Sequence, residues 1–404
     1  MDHERVNFLY ERTSEKLREL DNRFAELTGG INPNSGPQMA EYLYETLRFP
    51  IPKDYRGEPM MTATGRPKTN ADAINSLKPK SKKQLQFLEL YKEIAKTSDL
   101  LSKYLRKMHD CCEEKGGLLR ASLNQTRTQT HRLSSTGQNY KIQFQNVQRE
   151  LKGVFKSRHE GWDIGEVDYS QLEYRTAVDM AGDVAGLEDI KNGVDAHAFT
   201  ASIMFDEWAN QSLDKRERKN LRTAAKSDTF KPLYGGSSGT PRQQKYYRAF
   251  KDKHREITNW QQRNLQTVLS TKRLRIPSGL TFYWPDTKIT QSGYIVNTAP
   301  ICNYPVQSFA TADIVPLGLV WFWHLLRAAE AKTYIVNTVH DSIITETHPD
   351  ERELYEQLAS YAMIDGVLKS LVDLYDYRFT TPLDVEFEVY KHWVDSGDWY
   401  DNFK

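Results

Sequence analysis

The stretch YIVNTVHDSIITET, residues 334 to 347, decides the fold class. Its Val, Ile and Thr residues are typical of β-strands and form two runs that meet at His340-Asp341. A two-residue hairpin loop normally contains Asn-Gly or Gly-X, because its central residues adopt positive φ. His and Asp suit this turn poorly. We therefore predict an antiparallel hairpin whose turn side chains are wanted for another purpose.

A second strand-like run, IGEVD, ends in Asp168. An Asp at a strand end is most often a helix cap. However, two strands of one sheet can bring Asp168 beside Asp341. Carboxylate oxygens are hard ligands for Mg²⁺, which can stabilise the attacking and leaving oxygens of a phosphoryl transfer. Both interpretations, the helix cap and the magnesium site, stay open at this point.

Arg222, Lys226, Phe230 and Tyr234 recur every fourth residue, which predicts a stripe along one face of a helix. The two cations could hold a triphosphate, and the two rings could stack on a base and a sugar. The alternative is an ordinary amphipathic helix with buried rings and solvated cations. Pro232 lacks an N–H group and predicts a bend before Tyr234.

The chain has 404 residues, of which 39% are hydrophobic, enough for sizeable buried cores. The mean hydropathy is −0.69. The most apolar run, residues 314 to 326, is shorter than the ~20 residues of a membrane span and predicts a buried helix.

Neither the N-terminus nor the cysteines indicate export. The first residues lack a basic segment followed by an apolar one. Cys111, Cys112 and Cys302 lack the number and spacing of a disulfide framework or a zinc site. We expect a cytoplasmic protein with reduced thiols and no membrane partner.

The net charge of +1 hides an asymmetry. Residues 61 to 160 hold 20 Lys and Arg against 9 Asp and Glu, a balance of +11, whereas the remainder holds 35 against 45, or −10. This pattern favours a protein that binds a polyanion with one part and performs carboxylate chemistry with another. A solvated basic helix face is the alternative.

Helical periodicity dominates the first 110 residues. It predicts a helix over residues 7 to 27 that ends at Gly29-Gly30, and a second helix between Pro37 and Pro50. Residues 52 to 80 indicate a loop. A long helix is predicted over residues 83 to 107, with an inner stripe of Leu85, Leu88, Tyr91, Ile94 and Leu101. Beyond residue 160, strands alternate with helices, which indicates an α+β fold.

Three segments in order, DYSQLEYR (168 to 175), R-x3-K-x3-F-x3-YGG (222 to 236) and VHDS (339 to 342), closely resemble the polymerase motifs of family A DNA polymerases, the bacterial DNA polymerase I type. THRLSS (130 to 135), FQNVQR (144 to 149), DAHAFTA (195 to 201) and NYPVQSFATADI (303 to 314) are similar to further family segments. The resemblance covers almost the whole chain. It implies a right-hand polymerase with a helical thumb at 1–150, an antiparallel-sheet palm at 151–190 and 276–404, and helical fingers at 191–275.

The resemblance also implies roles for single residues. Asp168, Asp341 and the carbonyl of Tyr169 would bind two Mg²⁺ ions, and Lys226 would protonate the leaving pyrophosphate. The nucleotide would be bound by Arg222, Lys226, His197, Phe230, Tyr234, Gln171 and Glu173, the last of which would exclude a ribose 2′-hydroxyl. The primer-template would be contacted by Arg132, Asn303, Gln307 and His340.

The chain departs from the family pattern at several positions. Ser342 stands where an acidic residue commonly follows the second catalytic Asp, so a third carboxylate is missing there. His131 replaces a Gly, and Ala299 replaces an Arg that is often present. The thumb-like segment begins within the first thirty residues, so we expect a compact, phage-like form that lacks a 3′-5′ exonuclease domain and does not proofread.

The function implied is Mg²⁺-dependent, template-directed DNA synthesis from dNTPs on primer-template DNA. Viral DNA replication in a host cytoplasm is the favoured setting, with a separate exonuclease, helicase or processivity factor as further partners. Gap-filling repair remains open. Two rivals also remain: a single-subunit RNA polymerase, against which Glu173 argues, and a catalytically inactive module that binds primer-template DNA.

Overall fold

The computed structural model of the protein describes residues 1–54, 57–137 and 139–394. The chain divides into two compact units. One comprises Met1–Arg120 and Gln138–Ile142, and the other comprises the rest of the described chain. The assignment of thumb, palm and fingers to segments of the chain is a functional division and stays a prediction.

The first unit is helical. Its α-helices are α1 (His3–Thr28), α2 (Gly36–Ala40), α3 (Ala71–Ser76), α4 (Lys82–Leu100) and α5 (Arg106–Lys115). A π-helical segment, Glu41–Thr46, continues α2, and another, Leu101–Leu105, joins α4 to α5. The two helices predicted before residue 50 are confirmed. The predicted loop over residues 52 to 80 is interrupted by α3.

Helix α1 has the ends that its sequence indicates. The Asp2 side chain accepts a hydrogen bond from the backbone N–H of Arg5, and Gly29 ends the helix at a φ of 77°. This left-handed conformation carries no steric penalty for glycine. Leu20 and Phe24 are buried in the core of the first unit.

The predicted long helix is confirmed in α4, with one correction to its inner face. Leu88 and Ile94 are buried as expected, but Leu85 is 45% exposed. The buried stripe passes instead through Gln84 and Phe87. Gln84 escaped a hydropathy pattern because its amide is satisfied inside, where it donates to the carbonyl of Leu47 at 2.8 Å.

The second unit is built on a four-stranded antiparallel sheet with the strand order β6-β7-β3-β8. These strands are β3 (Asp163–Tyr169), β6 (Tyr334–Val339), β7 (Ser342–Thr347) and β8 (Val385–Tyr390). Two hairpins stand outside this sheet: β1 (Ala121–Asn124) with β2 (Ser134–Gly137), and β4 (Arg273–Arg275) with β5 (Thr281–Tyr283). The predicted hairpin is confirmed, because Val339 pairs with Ser342 and leaves a two-residue loop.

Helices surround this sheet. They are α6 (Arg149–Lys152), α7 (Leu172–Ala181), α8 (Val184–Lys191), α9 (Ala196–Met204), α10 (Lys215–Thr229), α11 (Pro241–Lys253), α12 (Arg255–Thr271), α13 (Thr298–Ser308), α14 (Val315–Ala328), α15 (Arg352–Tyr361) and α16 (Val367–Tyr375).

One face of the sheet forms the main core of the second unit. Val167 and Tyr169 of β3 pack there with Phe322 of α14 and Tyr355 of α15. Gly165 lies on the same face, where an added Cβ would stand 2.6 Å from Thr345 Oγ1. Only glycine permits this approach, and the opposite face of β3 is left to carry Glu166 and Asp168.

Helices α13 and α14 are joined by a π-helical segment, Phe309–Ile314, into one helix of 31 residues. By length and composition alone this helix could cross a membrane. Ile314, Phe322 and Leu326 nevertheless belong to the main core of the unit. The predicted helix is therefore confirmed, but only one of its faces is buried, because Val320 and Trp323 face outward and are 54% and 48% exposed.

Candidate active site

The pairing of β3 with β7 brings the two predicted catalytic aspartates together. Asp168 is opposite Ser342 in the register, so Asp341 in the preceding turn lies at the same end of the sheet. The backbone N–H of Tyr169 donates to the carbonyl of Asp341 at 3.3 Å. His340 completes the turn with a φ of 57° and an exposed side chain.

Both aspartates have a raised pKa, so their charged forms are disfavoured in the absence of a counter-charge. Desolvation raises the pKa of Asp168, and the negative charges of Asp341 and Glu166 raise it further. Desolvation also raises the pKa of Asp341, whereas Arg132 lowers it. A bound cation would favour the charged form of both groups.

The donor set at this end of the sheet suits a divalent cation that prefers oxygen. The Tyr169 side chain points into the core, where its hydroxyl donates to the carbonyl of Met363 at 2.6 Å, so only its backbone can face the aspartates. Within the described residues no three His, Cys, Asp or Glu side chains converge as a metal-binding group. A cation here would thus rely on two carboxylates together with backbone, water or substrate oxygens.

The helix-cap interpretation of Asp168 is wrong. The residue that precedes α7 is Gln171, whose φ is 53° and whose side chain makes no capping hydrogen bond. Gln171 is exposed beside this end of the sheet. Asp168 therefore does not cap helix α7, which is the role most often found for an Asp after a strand.

Glu173, in the first turn of α7, gathers several of the predicted residues. The Tyr234 hydroxyl donates to Glu173 Oε2, and Gln307 Nε2 donates to Glu173 Oε1 at 3.4 Å. Arg132 Nη2 lies 3.7 Å from the same Oε1. Residues from four segments of the sequence thus meet at one carboxylate.

Two buried polar atoms, on residues of this cluster or one helical turn from it, make no hydrogen bond with any described residue. Asn303, one turn before Gln307 on α13, has a buried Oδ1 that accepts no hydrogen bond in the described part of the chain. The Nε–H group of Arg132 is also buried and donates no hydrogen bond within residues 1–54, 57–137 and 139–394. Such groups are costly unless a ligand or water satisfies them, which fits a surface that receives polar edges of another molecule.

Helix α10 holds the predicted cations differently. Arg222 Nε is 2.5 Å from Asp195 Oδ2. The other oxygen of Asp195 caps α9 by accepting from the backbone N–H groups of His197 and Ala198. Lys226, one turn after Arg222, is exposed and forms no ion pair with any residue that the structure describes. Asp195 was missed in the sequence, although an Asp two residues before a candidate His is a capping signal.

His197 lies beside these cations. Its Nδ1 is 2.9 Å from Thr229 Oγ1, which fixes the ring. Burial lowers the pKa of His197, and the charges of Arg222 and Lys226 lower it further, whereas Asp195 raises it. The ring is therefore biased towards the neutral form. The Phe230 ring packs 5.7 Å from it.

The predicted bend before Tyr234 is confirmed. The prediction that all four residues of the stripe lie on one helix is wrong. Helix α10 ends at Thr229, Phe230 follows with φ −100° and ψ 4°, and Pro232–Tyr234 form a separate 3-10 turn. Arg222 and Lys226 remain on the helix, whereas Tyr234 turns to Glu173. Among the described residues no hydrogen bond or ion pair joins Arg222 or Lys226 to either aspartate.

Sequence reasoning missed a polar network beside Asp168. Glu166 accepts hydrogen bonds from Ser342 Oγ and from Trp393 Nε1, both at 2.8 Å, and Lys152 Nζ lies 3.4 Å away. The sequence did contain a signal, because Glu166 precedes Asp168 by two residues on one strand, and such residues share a face of the sheet.

Sequence comparisons identify the family of this chain and several of its relatives. The family model described as DNA polymerase family A matches residues 3–395. DNA polymerase I of Bacillus caldotenax is 27% identical over 421 residues, and the thermostable DNA polymerase I of Thermus aquaticus is 27% identical over 407. These alignments cover 98% and 95% of this chain but 44% of each relative. The chain thus spans less than half the length of these relatives.

A solved structure shares the fold. It is the POL domain of Pol1 from M. smegmatis in complex with DNA primer-template and dNTP. It superposes with a TM-score of 0.77 at 21% sequence identity, covering 97% of this chain and 67% of that one. The mixed fold expected from the sequence, with its antiparallel sheet, is confirmed.

Proposed function

This chain belongs to DNA polymerase family A, and from that premise we propose that it is a template-directed DNA polymerase that adds deoxynucleotides to a primer 3′ end. The observation that carries the proposal is the adjacency of Asp168 and Asp341 at one end of an antiparallel strand pair. Paired carboxylates in this arrangement suit divalent-metal phosphoryl transfer.

The cofactor of the proposed reaction is a pair of Mg²⁺ ions. Asp168, Asp341 and the carbonyl of Tyr169 would hold them. When bound, the ions would activate the primer hydroxyl and stabilise the departing pyrophosphate. Raised pKa values at both aspartates, caused first by desolvation, mean that protons compete with the cations for these oxygens.

The residues of α10 and its neighbours would bind the triphosphate. Arg222 and His197 would orient the phosphates, and Lys226 would give a proton to the leaving pyrophosphate. Phe230 and Tyr234 would pack on the base and sugar, with Gln171 at the edge of the pocket. Glu173, held by Tyr234 and Gln307, would exclude a ribose 2′-hydroxyl.

Primer-template DNA and dNTPs are the proposed partners. Arg132, Asn303 and Gln307 would contact the minor-groove edges of the primer terminus, where acceptors common to correct pairs are presented, and His340 would lie nearby. The basic segment 61 to 160, with its balance of +11, would neutralise phosphates, so binding should weaken steeply with salt. Viral DNA replication inside a bacterial cytoplasm is the setting we propose.

Extension of a labelled primer on a template tests this function. With four dNTPs and Mg²⁺ we expect extension that EDTA abolishes. Four rNTPs under the same conditions should support far less extension. Efficient extension with rNTPs would favour an RNA polymerase, and tight primer-template binding without extension would favour an inactive binding module.

A further inference from the structure

Ser342 stands directly after Asp341, at the position where the family commonly has an acid. Its hydroxyl is 2.8 Å from Glu166 Oε1 and 3.0 Å from the carbonyl of Val339. Ser342 is only 3% exposed. The side chain that could have carried a charge at this turn therefore connects the turn to a carboxylate on the neighbouring strand.

Glu166 is held at both of its oxygens. Oε2 accepts a hydrogen bond from Trp393 Nε1 at 2.8 Å, and Oε1 lies 3.4 Å from Lys152 Nζ. The Lys152 ammonium is in turn 4.5 Å from the centre of the Trp393 ring. The Glu166 side chain is 12% exposed. The described hydrogen-bond and ion-pair partners of this carboxylate are all donors, so the network holds it in one orientation.

The position of this charge relative to the aspartates follows from the strand. Glu166 and Asp168 are two residues apart on β3, so their side chains share a face about 6.6 Å apart along the chain. Ser342 pairs with Asp168 across the strands. The carboxylate of Glu166 is therefore fixed beside both aspartates.

We propose that Glu166 is a positioning residue that supplies the third negative charge missing at Ser342, and that the Ser342 hydroxyl ties this charge to the turn bearing Asp341. The inference rests on the proposed metal-dependent function. Glu166 acts on bound cations through space, since no three acidic groups converge as ligands among the described residues. Lys152 offsets part of the charge, so it limits the affinity for cations.

The charge can be tested with Mn²⁺ alone, without a catalytic readout. Mn²⁺ binding to the purified chain is measured by electron paramagnetic resonance, with circular dichroism as the check on folding. We expect Glu166→Gln to weaken Mn²⁺ binding by about tenfold, because a full charge at this distance interacts with a divalent cation by several RT even at high effective dielectric. Restoring the acid in Glu166→Gln/Ser342→Glu should recover most of the loss.

Glu388→Gln is the matched control. Glu388 pairs with Glu166 across the sheet on the exposed edge strand β8, so the same charge is removed from a neighbour outside the network. We expect a change below about twofold because solvent screens an exposed charge. Equal losses in Glu166→Gln and Glu388→Gln, or no loss in Glu166→Gln, would overturn the inference.

A second variant reverses the sign and covers a failure of Glu166→Gln to fold. Lys152→Met keeps an apolar chain against Trp393 but removes the positive charge, so Mn²⁺ binding should tighten several-fold. Arg149→Met, an exposed cation on the same short helix α6, should change it little. Weaker or unchanged binding in Lys152→Met would indicate a purely structural network and overturn the inference.

Primer extension by the unmodified chain separates the two proposals. Extension together with a normal Mn²⁺ affinity in Glu166→Gln would refute the role of Glu166 and leave the polymerase proposal standing. Expected Mn²⁺ effects in a chain that extends no primer would refute the polymerase proposal alone. A wild-type chain that binds no Mn²⁺ would refute both.

Discussion

The acidic half of the candidate site lies on the four-stranded sheet, whereas the cationic half lies on helix α10. Asp168 and Asp341 are placed by a strand register that backbone hydrogen bonds enforce. Arg222 and Lys226 extend from a helix of which only Ala225, Asp228 and Thr229 are buried. Register in a sheet with a buried face permits no slippage, but long side chains on an exposed helix keep most of their rotamers.

The two halves therefore hold their charged side chains in different ways. The sheet buries two carboxylates at the same end: desolvation raises the pKa of both aspartates, and neighbouring negative charges raise it further. The helix holds one of its cations, Arg222, with a partially exposed partner, since the side chain of Asp195 is 41% exposed. We therefore expect changes on the sheet to abolish function and changes around α10 to produce graded effects.

The largest effect is expected on the sheet. Asp168→Ala and Asp341→Ala should each lower the rate of primer extension by ~10³-fold or more, because no other described carboxylate converges on the same point. Binding of primer-template DNA, measured by fluorescence anisotropy, should stay nearly unchanged. Asp373→Asn, an exposed acid on α16, serves as the control. Extension that survived both alanine changes would break the contrast between the two halves.

A smaller loss is expected on α10. Lys226→Ala should lower kcat by ~10²-fold, the scale of a lost general acid, with a modest change in KM for dNTP. Lys219 is the matched control, because it is exposed and lies two turns earlier on the same face of α10. If Lys219→Ala and Lys226→Ala behaved alike in steady-state extension, the stripe would contribute only diffuse charge.

Part of the acidic half could be predicted from local sequence pattern, for a physical reason. Strand periodicity and an unsuitable turn pair identified the β6–β7 hairpin, and the position of Asp341 followed from it. The pairing of β3 with β7, which brings Asp168 to the same end of the sheet, joins strands that are distant along the chain. It was predicted only through the family resemblance.

The rest depended on contacts between segments that are distant along the chain. Glu166 meets Trp393 across 227 residues and Ser342 across 176. The exposure of Leu85 is also a result of tertiary contacts, because Gln84 lies on the inner face of α4 with its amide hydrogen-bonded to the carbonyl of Leu47. The periodicity of hydrophobic residues does not predict such long-range contacts.

A change at the junction of the two halves should alter selectivity more than rate. Tyr234→Phe removes the hydroxyl that donates to Glu173 Oε2, so the carboxylate loses its nearest donor and its fixed orientation. We expect the preference for dNTP over rNTP, measured as a ratio of kcat/KM, to fall by about tenfold. The loss of a hydrogen bond to a charged group should also lower the free energy of unfolding by about 1.5–3 kcal/mol.

Tyr246→Phe controls for the stability component of that result. The Tyr246 hydroxyl donates to the carbonyl of Thr229 at 2.7 Å and does not contact Glu173. It should lower the free energy of unfolding while leaving the selectivity ratio unchanged. A selectivity loss of the same size in both variants would mean that packing, and not the Glu173 carboxylate, discriminates between the sugars.

The smallest effect concerns the charge of His197 and probes how loosely the cationic half is coupled. Burial lowers the pKa of His197, and Arg222 lowers it further, while Asp195 raises it. Arg222→Gln removes a positive charge from beside the ring and leaves the Asp195 carboxylate without its guanidinium partner. Both changes favour the imidazolium, so the pKa of His197 should rise. An NMR titration of the ring measures it, and Arg218→Gln, whose guanidinium donates to the carbonyls of Trp208 and Asn210, should leave it in place. A pKa unmoved by Arg222→Gln would mean that the Arg222–Asp195 pair does not set the charge of this ring, and that burial dominates at the exposed helix as it does at the two aspartates.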